Sequence, residues 1–361
     1  MFCLPQPDSA CYLLFCLICA DFELTGIPED VLVLSFPIRT SLETIAAMKA
    51  PNPRNRPEYS ENPTQSTGFR VVLDDTYGFR HLDPIPPEAE IGKFYESSYY
   101  DLIRKGNRAP ELRRLMQGGD TANQELRWLK QGLYTDIVCI LRDVVSGRRL
   151  LEVGCGTGDF LSFAAEHNFK AVGTEPALEI AQRAGSRGLT VHPLTLEKFV
   201  AQSPPGQFDI VVMLNVLEHV PDPVGTLQKC RQMLADDGIL CIRVPNDFSE
   251  IQEAARQKLA GDPWWIAVPD HINYFNFASL RILFDQLGFE TVYSQGDFPM
   301  ELFLLMGENY VRDPETGSRC HARRVQFDLG LTPELRRMIY SALGGVGVGR
   351  DCLVFGKKLR S

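Results

Sequence analysis

Residues 150–161 read LLEVGCGTGDFL, and no other stretch of the chain narrows its possible folds as much. Leu150, Leu151 and Val153 form an apolar run around a single carboxylate, Glu152, as in a buried strand. The run breaks into glycines at alternate positions, Gly154, Gly156 and Gly158, and a helix-like stretch starts at Asp159. Glycine lets the backbone take positive φ and approach a ligand with no Cβ in the way. Strand, glycine turn and helix N-terminus together make a cradle. The spacing is G-x-G-x-G; Asp159 breaks the longer G-x-G-x-x-G pattern shaped for a pyrophosphate. The shorter loop, with an acid just before it, suits a ligand that carries an amino-acid group and no phosphate.

From residue 149 onward, strand and helix patterns alternate. Strands are expected at 149–153, 171–175, 208–214, 239–244, 290–294 and 352–356, and helices at 159–167, 177–187, 223–235 and 277–287. Such alternation implies a mostly parallel, doubly wound sheet. A long insertion with a helix at 333–343 separates the last two strands. Upstream, Phe69–Leu82 reads as a hairpin turning at Asp74–Gly78. Pro84-Ile85-Pro86-Pro87 then opens a helix carrying Phe94, Tyr95, Tyr99 and Tyr100, and 121–145 is amphipathic at helical spacing. Five segments follow: 1–65, an extension and Pro/Asn-rich linker; 66–145, hairpin and helical lid; 146–301, the core; 302–349, the insertion; 350–361, the final core strand.

Composition removes some classes. A net charge of −9 argues against a nucleic-acid partner. Arg319, Arg323 and Arg324, then Arg336 and Arg337, read as solvated helix faces. Four of the ten cysteines fall in the first nineteen residues, and the rest are scattered through apolar runs, a pattern for a reducing compartment. Cys16 and Cys19 lack a second pair for a metal site. The apolar run Tyr12–Ala20 is too short for a membrane span and has no basic residue before it, so no signal peptide or membrane partner is expected. Residues ahead of Met48 read as an extension from an upstream start. The expected location is cytoplasmic.

Three further features follow the glycine loop in order. Glu175 ends the next strand, 21 residues after Gly154, where a carboxylate can grip a ribose diol. The strand Phe208–Leu214 ends in Asn215, at the carboxyl edge where such sheets bind ligands. Asp237-Gly238-Ile239-Leu240 restarts a strand after a helix. With these in place the chain resembles the class I methyltransferases that depend on S-adenosyl-L-methionine (SAM). LLEVGCGTGDFL looks like their first motif and GTEP like the end of their second strand. FDIVVMLNVLEHVPDP resembles the fourth-strand motif of the subgroup that includes ubiquinone-biosynthesis O-methyltransferases, and LADDGILCIRVPN their fifth strand. The likeness covers roughly residues 85–300. It implies an α/β, Rossmann-like seven-stranded doubly wound sheet with an antiparallel last strand, beside the extension and the helical insertion.

The resemblance also implies a cofactor site. Glu152, Gly154, Cys155, Gly156 and Gly158 would surround the methionine part of SAM, Glu175 the ribose, Leu196 the adenine, and Asn215 the methionine or the sulfur. One departure stands out. Relatives of this subgroup carry a zinc-ribbon Cys-x-x-Cys before the Pro-x-Pro helix, whereas Asp74 and Tyr77 stand there here. Carboxylate and phenol do not replace a thiolate pair.

On the acceptor side, WWIAVPDHINYFN combines aromatic residues with an acid–His pair. It resembles a segment of some nucleotide-sugar C-methyltransferases in which the histidine acts as base. Asp270 and His271 are therefore candidate catalytic residues, with His219 a second candidate that fits a capping or cofactor-edge role better. Tyr99, Tyr100, Trp265 and Tyr274 are candidate substrate contacts. Glu218, His219 and His271 offer metal donors, but no tight spacing joins them, so no metal is expected. The resulting expectation is a methyltransferase for a small molecule (a sugar, quinone precursor or secondary metabolite), working as monomer or homodimer. The alternatives are a protein or nucleic-acid methyltransferase, and a SAM-binding scaffold without turnover.

Overall fold

In the computed structural model, residues 68–95, 99–105, 110–268 and 270–360 are described. The N-terminal extension, Cys16 and Cys19, the linker and Met48 lie outside the described residues.

The chain enters through β1 (Arg70–Leu73) and β2 (Arg80–Asp83). Between them Asp74 Oδ1 accepts the backbone N–H groups of Thr76 at 2.9 Å and Tyr77 at 2.8 Å. The carboxylate thus closes the turn by itself. Short helices follow, α1 (Glu88–Lys93), α2 (Tyr99–Arg104) and α3 (Pro110–Gln117). The amphipathic stretch is α4 (Gly119–Leu129) and α5 (Thr135–Val144), joined by a π-helical turn at Lys130–Tyr134 where Gly132 leaves helical geometry.

The core then alternates β3 (Arg149–Val153), α6 (Asp159–Glu166), β4 (Lys170–Thr174), α7 (Leu178–Gly185), β5 (Val191–His192), α8 (Leu196–Val200) and β6 (Phe208–Leu214). It continues through α9 (Pro223–Met233), β7 (Leu234–Pro245), α10 (Glu250–Leu259), β8 (Asn273–Tyr274), α11 (Phe277–Gln286) and β9 (Phe289–Gln295). After the insertion helices α12 (Glu301–Leu305), α13 (Pro314–Gly330) and α14 (Pro333–Gly345), the last strand is β10 (Asp351–Lys358).

Among the described residues the large sheet has seven strands in the order β5-β4-β3-β6-β7-β10-β9. Strands β3 to β7 pair in parallel, and β10 runs antiparallel between β7 and β9. This is the Rossmann-like order with a reversed last strand. Both faces are buried, which is why β3, β6 and β7 read as nearly continuous apolar runs. One core layer packs Val211, Leu240 and Ile242 on α9 and α11; the other packs Leu150, Ile210 and Cys241 on α5 and α6.

Two sequence readings need correction. First, Tyr274, expected to face the acceptor, does not line the cavity: it forms β8, which extends the β1–β2 hairpin into a three-stranded sheet. The ring is 1% exposed and packs with Leu82, Phe248 and Trp265. Second, the insertion arginines are not all solvated. Arg324 and Arg336 are 3% and 2% exposed. Arg336 donates to both oxygens of Asp136, at 2.9 and 2.8 Å, and Arg324 reaches Glu111 at 3.1 Å and Asp297 at 2.7 Å. Arg324 on α13 lies over the Trp128 ring of α4, and Arg336 on α14 faces Asp136 of α5, so these two sides of the helices are covered. No helix among the described residues is long and apolar enough to cross a membrane.

Candidate active site

The glycine loop between β3 and α6 takes φ values of +68°, +52° and +76° at Gly154, Gly156 and Gly158. A Cβ at Gly154 would lie 2.7 Å from Val216 Cγ2, and one at Gly158 2.6 Å from Leu189 Cδ1. At Gly156 a Cβ would meet only Tyr100 Oη, at 3.5 Å. Packing therefore requires glycine at 154 and 158, whereas Gly156 faces open space. Gly158 caps α6 and does not line the cavity.

That space is a cavity of about 1680 Å³ across the carboxyl ends of the parallel strands. Small-molecule pockets run to about 300–1,000 Å³, so two ligands fit side by side. Glu152, Gly154, Cys155, Gly156, Glu175, Leu196 and Asn215 line one part of it. Tyr99, Tyr100, His219, Trp265, Asp270 and His271 line the rest.

Glu152 is 4% exposed, and its Oε2 has no hydrogen-bond partner. Burial, with Asp159 and Glu175 nearby, pushes its carboxyl well above the usual range. A buried, unpartnered carboxylate oxygen beside a positive-φ loop is a seat for a cationic amino group. Glu175 accepts N–H groups from Gly156 and Ala177, each at 3.0 Å, and the Tyr100 hydroxyl donates to it as well. The acid at the end of β4 thus holds the glycine loop in place. Burial raises the Cys155 thiol, which packs against Gly173 as part of the wall.

Asn215, at φ +56°, turns the chain out of β6 into the 3₁₀ turn Leu217–His219. Its Oδ1 accepts from Arg243, and its side chain also reaches Glu218. Glu218 is buried, which pushes its carboxyl up.

The fold brings together the two histidines that lie far apart in sequence. Their ring centroids are 4.9 Å apart, edge to face. His219 Nδ1 lies 2.9 Å from the Asp270 carbonyl oxygen, so it carries a hydrogen and donates it there. The Tyr95 hydroxyl donates to Asp270 Oδ1 at 3.2 Å. Glu218, His219 and His271 also place one donor atom each within 4.8 Å of one another. Linear spacing did not join these three; the meeting of the 3₁₀ turn with the segment before β8 does.

Sequence reasoning missed the far end of the cavity, where Asp247, Gln252, Glu301, Tyr310 and Arg350 form the wall. The one local signal was a lone arginine closing the glycine-rich stretch 344–349.

A methyltransferase-domain family model matches residues 123–294. A ubiquinone biosynthesis O-methyltransferase from Haemophilus ducreyi is 37% identical over 112 residues, covering 28% of this chain and 46% of that protein. Its counterpart from Actinobacillus pleuropneumoniae is 36% identical over 104 residues, covering 26% and 44%. The chain thus spans less than half the length of these curated relatives. A crystal structure of a SAM-dependent methyltransferase from Archaeoglobus fulgidus aligns with a TM-score of 0.45 at 17% identity, over 73% of this chain and 100% of that one. The matched domain, the sheet order and the glycine loop at the end of β3 agree: residues 123–294 carry a methyltransferase domain of the class I, SAM-dependent kind.

Proposed function

We propose that this protein methylates a small-molecule acceptor at oxygen, using SAM, with His271 as the base. The observation that carries the reading is one continuous cavity, which joins the unpartnered Glu152 carboxylate to the His219–His271 pair. Bound at the glycine loop, SAM supplies an electrophilic methyl group on a sulfonium. Glu152 would face its ammonium group, Glu175, which holds the glycine loop, would take the ribose, and Leu196 would pack on the adenine side. The acceptor lies against Trp264 and Trp265. Its oxygen would take the methyl group, with S-adenosylhomocysteine as the leaving group, and its proton would pass to a ring nitrogen of His271. His219 and Asp270 position that ring, and the Tyr95–Tyr99–Tyr100 group excludes water from the waist of the cavity. The curated relatives are named as O-methyltransferases, and a hydroxyl acceptor needs such a base.

The test has two steps. Calorimetry measures SAM affinity, and S-adenosylhomocysteine formation is then followed with a pool of hydroxylated metabolites. His271→Ala is expected to bind SAM normally and to lose about 10²–10⁴-fold in turnover. Full turnover in that variant would overturn the base assignment. Binding without turnover on any pool would instead mark a silent scaffold.

The convergence of Glu218, His219 and His271 favours a second reading. A divalent ion held by these donors would polarise the acceptor oxygen. Chelation would then abolish turnover and spare SAM binding, whereas a base alone is indifferent to chelator.

A further inference from the structure

The far end of the cavity holds a charge that methyl transfer leaves unused. Arg350 sits at the entry to β10 and lines the cavity. Its guanidinium has no hydrogen-bond or ion-pair partner among the described residues. The two other arginines nearby are paired: Arg243 with Asp351, and Arg324 with Glu111 and Asp297. Next to Arg350, the buried Tyr310 hydroxyl and Glu301 Oε2 also lack partners. Burial pushes the Glu301 carboxyl up, so it is a poor counter-ion for Arg350. The same lobe is walled by Trp264 and Trp265.

A guanidinium cannot shed its charge, and it presents a fork of donors suited to carboxylate and phosphate. Strand β10 is separated from the glycine-loop strand β3 by β6 and β7, which is three strand spacings, or about 14 Å.

We propose that the acceptor carries an anionic substituent, a carboxylate or a phosphate, held by Arg350 and the Tyr310 hydroxyl at the far end of the cavity. The body of the acceptor then lies against the tryptophans with its reacting oxygen toward His271. This rests on the cavity being a methyltransferase site, and it adds the chemical class of what fills the acceptor half.

The probes are benzoate, phenyl phosphate and neutral benzamide, titrated into the full chain with and without saturating S-adenosylhomocysteine. At least one anion should bind saturably, about tenfold or more tighter than benzamide. Arg350→Met should remove that advantage and Arg350→Lys should restore part of it, while S-adenosylhomocysteine affinity stays within about twofold in both. Which anion binds tighter tells carboxylate from phosphate. Equal binding of benzamide, no saturable binding of either anion, or an unchanged Arg350→Met variant would overturn the proposal. So would a loss of S-adenosylhomocysteine affinity in Arg350→Met as large as the loss of anion affinity, since Arg350 would then serve the cofactor. Anion binding through Arg350 in a protein that does not bind S-adenosylhomocysteine leaves the anion site standing and overturns the methyltransferase reading instead.

Discussion

Glu152 joins the buried strand pattern to cofactor binding. Burial and two nearby carboxylates push its carboxyl well up, which favours the protonated form in the free protein. An ammonium group seated beside it favours the charged form and lowers its pKa. Binding in that window releases a proton, so SAM affinity rises with pH until the free-state pKa is passed. Calorimetry over a pH series in two buffers of different ionisation enthalpy should detect the release. Glu152→Gln should abolish it and weaken SAM by about 1.5–3 kcal/mol, the worth of a hydrogen bond to a charged group. Full affinity in the Gln variant would remove Glu152 from the site. At Gly156 the φ of +52° and the open side toward Tyr100 make glycine the residue of least cost. Gly156→Arg would drive a long side chain into the cofactor space, and a loss of more than about 100-fold in SAM affinity is expected.

At the scale of elements, the insertion between β9 and β10 docks by charge as well as by apolar packing. Helix α14 anchors on α5 through Arg336 and Asp136, whose side chains are 3% and 2% exposed. Asp328 on α13 accepts from Trp128 at 2.7 Å and from the Tyr340 hydroxyl. Removing one partner of a buried pair leaves an uncompensated charge and costs about 3–5 kcal/mol, whereas replacing both can be near neutral. Arg336→Met should therefore lose about that much in chemical denaturation, and Arg336→Met with Asp136→Leu should recover most of it. A double variant no better than the single one would show that α14 docks by packing alone. Strands β3, β4, β6 and β7 with helices α6, α7 and α9 were legible because each is written in local periodicity, whereas β5 and α8, two and five residues long, are too short to show one. The length of α13 was not, because its buried side is polar, with Arg324 and Asp328 where a sequence pattern looks for leucine. Strand β8 was missed for another reason: its two residues become a strand only by pairing with β2.

For the whole molecule, Glu111 connects helix α3 to the insertion through Arg324, which also holds Asp297 at the sheet's edge. Burial alone would raise the Glu111 carboxyl, but Arg324, Arg243 and Arg350 more than offset it and bring it down to about 2. A carboxyl depressed in the folded state adds stability above its ordinary pKa and loses it as pH falls toward the folded value. Stability should thus decline from about pH 4.5 toward pH 2. With the side chain 30% exposed, the contribution is put at about 2 kcal/mol rather than the full shift. Glu111→Gln should flatten that acid limb in denaturation measured at pH 5 and pH 3. An unchanged limb would place the acid sensitivity elsewhere.

The cofactor half of the cavity could be read in the chain itself. Gly154, Gly156, Glu175 and Asn215 all follow strand ends, and a parallel sheet brings its carboxyl ends to one edge whatever else is added. Backbone conformation and strand order are short-range or topological, so residue type and spacing express them. Pairing across the fold is neither. The His219–His271 contact, the burial of Arg324 and Arg336, and the placing of Arg350 beside Tyr310 depend on which surfaces meet. A polar side chain looks the same in sequence whether it faces water or a buried partner, so only the tertiary structure decided the acceptor half.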